Sequence, residues 1–422
     1  MKLIPSRNAR KIIVLCILCA FLGACASTKW SAKESDQEQM VGDIAYLASD
    51  KLKGRTFGSE GEVKAGEYIA NRFKLLGLKP MGDNGTYFQS FTVKNNNPHE
   101  VEFADVQQPG YLSGRNVIGY LDQGAPYTII VGAHYDHLGM GTFGSLYVGD
   151  PAIHNGADDN ASGTSTIMEL AQRLIPYKEH NYLFIAFTGE ENGLWGSNYF
   201  TKHATIDMSK VIAMINFDMV GRMSENKIAI NGTGTSPSWP ELIKAANVDS
   251  LDVTYGESGV GPSDHTSFYL IDIPAIHFFT GAHEDYHKPS DDIEKINADG
   301  MEKVANLATR ILRGLGNNGE DKIEFTKTKD DDKDSSPKLE VTLGVVPDYL
   351  YDETGLRLDG VKEGHPAANA GLLKGDVIIK MGGEDIKDIY AYMKVLSSFH
   401  HGDKTNVVVL RNGKEMKFDI QF

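Results

Sequence analysis

Four stretches of this chain are apolar almost without a break: "YTIIVGA" (127–133), "NYLFIAF" (181–187), "VIAMINF" (211–217) and "IPAIHFF" (273–279). A strand with one face in water alternates apolar and polar residues, so runs like these belong to strands covered on both faces. Helical spacing fills the intervals. It appears in "EGEVKAGEYIANRFKLLGL" (60–78), "GTSTIMELAQRLI" (163–175), "GLWGSNYFTKHA" (193–204), "PELIKAAN" (240–247) and "ADGMEKVANLATRILRGL" (298–315), with a further strand-like run "RNVIGYL" at 115–121. Alternating strands and helices predict an α/β domain over 38–318: a mixed, mostly parallel sheet with helices on both faces.

The texture then changes. "TKTKDDDKDSSP" (326–337) is dense in charge and poor in apolar residues, so 319–337 reads as a charged linker. From Lys338 the sequence is β-rich, with one helical run, "IKDIYAYMKVLSSF", and an Asn412-Gly413 pair between two alternating runs that signals a hairpin. Residues 338–422 are therefore expected to form a second, small β-rich domain.

The beginning of the chain is expected to be removed. Lys2, Arg7, Arg10 and Lys11 precede the apolar "IIVLCILCAFLGAC", the pattern of a secretory signal over residues 1–24. That apolar core is too short to span a bilayer comfortably. Its end, Leu22-Gly23-Ala24-Cys25, resembles the bacterial lipobox, which implies a lipid on Cys25 and an extracytoplasmic protein anchored to a bacterial membrane. A polar tether is expected over 25–37. Cys16, Cys19 and Cys25 are all the cysteines there are, so the remaining chain has neither disulfide nor thiolate metal ligand. The net charge of −15 excludes nucleic acid as a partner, because no basic surface exists to meet phosphates.

In open α/β sheets, ligands bind at the carboxyl ends of the strands. There the sequence collects acids and imidazoles: His134 and Asp136 after the first run, Glu190 and Glu191 after the second, Asp218 after the third, and His283, Asp285 and His287 after the fourth. "NGADDNASG" adds Asp158 and Asp159 ahead of a helix. Each group alone has a plainer reading, as a turn cap or a solvated loop. Convergence from four strand ends points to metal. Imidazole and carboxylate without thiolate suit catalytic zinc, with manganese or cobalt able to stand in. Two histidines and three carboxylates are too many for one zinc with an open position and suit two ions sharing a carboxylate.

The ordered motifs "GAHYDHLG", "NGADDNASG", "FTGEENGLWGS", "INFDMVGR" and "DYHKPSDD" resemble those of the two-zinc aminopeptidases, family twenty-eight of the metallopeptidases. The resemblance implies the zinc-exopeptidase (phosphorylase/hydrolase-like) fold and two zinc ions per chain. It implies His134, Asp159, Glu191, Asp218 and His287 as ligands, with Asp159 bridging. Asp136 would orient His134, and Glu190 would act as general base on a water between the ions. Tyr286 is a candidate donor to the oxyanion, and Asp264 and His265 match a segment lining the substrate side in relatives. Peptides would be the substrates. A single-zinc glutaminyl cyclase on the same architecture and an inactive peptide-binding adaptor are the rival readings. "GHPAANAGLLKGDVIIKMGG" (364–383) resembles a PDZ domain of the type attached to periplasmic proteases, which implies that the loop at Leu343, Gly344, Val345 and Val346 receives a peptide C-terminus.

Overall fold

A computed structural model describes residues 32–94, 103–104, 110–141, 144–315, 323–328, 341–348, 351, 353–362, 364–387 and 389–422. The expected signal segment and Cys25 lie outside them. Among the described residues no helix is long and apolar enough to cross a membrane.

Ten strands form one sheet: β1 (Lys79–Pro80), β2 (Phe88–Lys94), β3 (Phe103–Ala104), β4 (Tyr111–Leu121), β5 (Thr128–His134), β6 (Asn181–Phe187), β7 (Val211–Phe217), β8 (Lys227–Asn231), β9 (Asp252–Tyr255) and β10 (Ala275–Phe279). Their order is β3-β2-β4-β6-β5-β7-β10-β8-β9, with β1 beside β4. The four apolar runs are the neighbours β6, β5, β7 and β10, all mutually parallel. Antiparallel pairs β4–β6 and β10–β8 extend the sheet on either side.

Coverage on both faces explains the unbroken apolar runs. In β6, Tyr182, Phe184 and Ala186 enter one core and Leu183, Ile185 and Phe187 the other. The first core is closed by the helices Ala32–Leu47, Glu60–Leu75, Gly163–Arg173, Trp239–Ala246 and Ala298–Gly314; the second contains Phe200 and Phe268 from the helices Trp195–Lys202 and His265–Tyr269. Each fully buried side chain of this size contributes about 1.5–3 kcal/mol.

Two expectations change. The stretch read as a tether over 25–37 contains the start of the helix Ala32–Leu47. Its polar beginning conceals Met40, Ile44 and Leu47, spaced at four and three residues and buried in the core. Asp36 and Gln37 bond to Gln172 and Asp299. Within the stretch read as a linker, residues 323–328 lie against the α/β domain: the Thr326 N–H donates to Thr235 O (2.8 Å) and the Thr328 N–H to the Tyr269 hydroxyl (2.9 Å). The apolar side chains responsible, Ile323 and Phe325, stand singly among charges, which hid them from a compositional reading.

The second sheet comprises β11 (Val345–Pro347), β12 (Leu356–Val361), β13 (Val377–Met381), β14 (Glu384–Asp385), β15 (Lys404–Arg411) and β16 (Lys414–Gln421), with helices Pro366–Ala370 and Ile389–Leu396. Asn412 and Gly413, at φ 51° and 74°, make the tight turn joining β15 and β16. Leu343, Leu358, Ile378 and Val409 belong to a core separate from the first.

Candidate metal centre

Because β5, β6, β7 and β10 run in parallel, their carboxyl ends open on the same edge of the sheet. His134 is the last residue of β5, Asp218 comes directly after β7, and Glu190 and Glu191 come after β6 across a short turn. His287 arrives from the loop after β10, held by its Nδ1 donating to Gly144 O (2.8 Å) and by the Leu146 N–H donating to His287 O (3.0 Å).

Asp159 comes from the turn Ala157–Ser162 that leads into the helix Gly163–Arg173. The buried carboxylate of Asp291 accepts the N–H groups of both Asp158 and Asp159, fixing this turn. Gly156, at φ 57°, makes the tight entry; a Cβ there would lie 2.1 Å from Asp159 O. Arg55, fully buried, donates to the carbonyls of Tyr135 (2.7 Å) and Gly156 (2.7 Å), joining the "HYDH" loop to this turn.

Asp159 stands between the two histidines. Its Oδ1 is 3.3 Å from His134 Nε2, and its Oδ2 is 3.2 Å from His287 Nε2. Asp218 Oδ1 is also 3.3 Å from His134 Nε2, while Glu191 Oε2 is 3.2 Å from His287 Nε2. The other ring nitrogen of each histidine faces a carbonyl: Asp136 O is 3.3 Å from His134 Nδ1, and Gly144 O accepts from His287 Nδ1. Those contacts assign the proton to Nδ1 and leave lone pairs on Nε2 pointing at carboxylate oxygens. Acceptors facing acceptors need a proton or a cation between them.

The electrostatics show how strongly the surrounding carboxylates draw positive charge to this site. Burial lowers the proton affinity of His134, but Asp218 and Glu190 raise it well above the ordinary imidazole value; Glu191 and Asp159 do the same to His287. Burial pushes Glu191 up, and His287 and His137 overcome it to hold the carboxyl at about 2. Burial, joined by Asp218 and Glu191, holds Glu190 well above the usual carboxylate range. Ligand atoms of His134, Glu190 and Asp218 gather within 4.8 Å of one another, as do those of His137, Asp159 and Glu191, so the donors fit two adjacent cations.

His134, Asp136, Asp159, Glu190, Glu191, Asp218, Tyr286 and His287, given roles from the sequence, all lie at this edge. Asp136 Oδ1 lies 3.7 Å from His134 Nδ1 and also accepts the Glu190 N–H (3.2 Å). The Tyr286 ring stacks on that of His287 with centroids 3.9 Å apart. Asp264 and His265 are fully buried, and from their segment it is Pro262 that reaches the cavity. His137, given no role from the sequence, donates from Nδ1 to Glu191 Oε1 at 2.7 Å. Its place in the "HYDH" cluster was the available signal. Ser263, which donates to Asp218 Oδ2 (2.8 Å), was given no role from the sequence, nor was Asp291, although it lies within "DYHKPSDD".

A parallel-centred α/β domain thus gathers two carboxylate-flanked histidines at its strand ends, a donor set suited to metal ions. Residues 116–312 match the model of Peptidase family M28, and residues 323–422 match that of a PDZ domain. The first match falls within the α/β domain and the second takes in the whole second sheet. It is similar to aminopeptidase YwaD of Bacillus subtilis, 31% identical over 203 residues, which are 44% of this chain and 41% of that protein. The chain spans about half the length of the curated relatives it matches. Among solved structures, an aminopeptidase from Aneurinibacillus sp. strain AM-1 matches with a TM-score of 0.52 at 21% identity, over 70% of this chain and 96% of that one. A glutaminyl cyclase from Bacteroides thetaiotaomicron matches with a TM-score of 0.52 at 17% identity, over 66% and 97%. These two likenesses are of fold alone.

Proposed function

We propose that this protein is a zinc aminopeptidase that hydrolyses the N-terminal peptide bond of peptides. The observation that carries the reading is the Asp159 carboxylate with one oxygen toward His134 and the other toward His287. His134 and Asp218 would hold one zinc, Glu191 and His287 the other, and Asp159 both. When bound, two zinc ions would lower the pKa of a shared water and polarise the scissile carbonyl.

The protein's own groups would do the rest. Glu190, its Oε2 3.9 Å from His134 Nε2, would take a proton from water and return it to the departing amine. Asp136 would serve twice, setting the His134 tautomer and holding the Glu190 backbone. Tyr286, beside His287 on the cavity wall, would donate to the developing oxyanion. The signal pattern and Cys25 support an extracytoplasmic, lipid-anchored setting.

The fold shared with a glutaminyl cyclase keeps a single-zinc cyclase as the second reading. Elemental analysis of zinc-loaded protein, with a panel of aminoacyl amides, dipeptidyl amides and glutaminyl peptides, separates the two. The aminopeptidase reading expects about two zinc ions per chain and release of the first residue. One ion with cyclisation of glutaminyl peptides would replace it.

A further inference from the structure

The PDZ domain contributes to the cavity that contains the candidate catalytic groups. That cavity, of about 640 Å³, is lined by Glu190, Asp218 and His287 and also by Val345, Pro347 and Met393. Val345 and Pro347 belong to β11, and Met393 to the helix Ile389–Leu396. A neighbouring cavity of about 320 Å³ repeats the juxtaposition, with Leu146, Tyr286 and Lys288 facing Gly360 and Lys362. The PDZ domain therefore meets the loops that carry and brace His287.

The edge of β11 gives this contact its meaning. Among the described strands β11 pairs only with β12, so its other edge is open, and a strand edge of this kind accepts an extended peptide by strand addition. In this chain β11 and the helix bearing Met393 line the same space as Glu190. The cleft's volume lies within the range of about 300–1,000 Å³ usual for small-ligand sites. A peptide extends by about 3.3 Å per residue, so only a few residues fit between the candidate metal centre and the PDZ wall.

Resting on the aminopeptidase reading, we propose that the PDZ domain receives the downstream residues of the same peptide whose first residue is cleaved, and thereby restricts the enzyme to short peptides. The domain is then a specificity wall of the active site. Val345 and Met393 are its specificity-determining side chains.

The test uses zinc-loaded full-length protein and free peptides that share a first residue and run from about two to about twelve residues. The expected kcat/KM falls at least about tenfold from the short members to the longest. Val345→Ala and Met393→Ala, which widen the wall, should reduce that ratio at least about fivefold; Met393→Trp, which narrows it, should increase it. Circular dichroism melting verifies that each variant is folded, and the length series of the unaltered protein decides the matter even where a variant is not. Turnover indifferent to length, or a ratio unmoved in folded variants, overturns the proposal while leaving the aminopeptidase reading intact. Absence of turnover on every peptide and aminoacyl amide overturns both.

Discussion

At the residue scale, the two adjacent glutamates after β6 have different surroundings and should fail differently. Glu191 sits between two imidazoles, 2.7 Å from His137 Nδ1 and 3.2 Å from His287 Nε2. Glu190 has no such close imidazole pair and keeps its proton more tightly. Glu190→Gln should retain both zinc ions and lose about 10²–10⁴ in kcat, the range for a general acid–base group. Glu191→Gln should lose zinc first and recover partly with excess zinc. Zinc content measured beside kcat separates them, and the reverse pattern would exchange their roles. His137 belongs to the same comparison, because its Nδ1 donates to Glu191. His137→Ala should weaken zinc binding about 10–100-fold, read by chelator competition; unchanged affinity would make His137 a packing residue.

At the element scale, the turn Ala157–Ser162 depends on a partner 132 residues away in sequence from Asp159, since Asp291 accepts from two of its N–H groups. Those donors are buried, and removing their acceptor leaves both unsatisfied. Asp291→Ala should cost about 2–4 kcal/mol in chemical denaturation and weaken zinc binding through a displaced Asp159. A stability change without any loss of zinc affinity would confine Asp291 to structure. The loop after β10 is braced comparably: Asp285 accepts from Arg222 (3.2 Å), Ser290 (2.6 Å) and Lys295, two positions before His287.

At the scale of the whole molecule, the α/β domain and the second domain have cores with no residue in common and both line one cavity. We also propose that the molecule is held at a membrane by lipid on Cys25. Cys25→Ser cannot form the thioether, so it should move the protein from the membrane to the soluble extracytoplasmic fraction. Retention of the processed variant on the membrane would exclude lipid as the anchor.

Local pattern carried the centre of the molecule. The four apolar runs specify buried strands because a strand covered on both faces admits no polar alternation, and each became a neighbour in the parallel centre of the sheet. Parallel strands release the chain at one common edge, so His134, Glu190, Glu191 and Asp218 were legible as residues of that edge. The periphery was not. The alternating "FQSFTVK" of β2 and the short β8 and β9 have weak patterns because part of their surface faces water or loop. The helix beginning at Ala32 hides its few apolar positions behind a polar start. Contacts between residues distant in sequence leave no periodic trace. The grip of Asp291 on Asp158 and Asp159, the bond from His137 to Glu191, and Val345 and Met393 lining the cavity at the candidate metal centre arise only when separate elements pack, so the tertiary structure alone decided them.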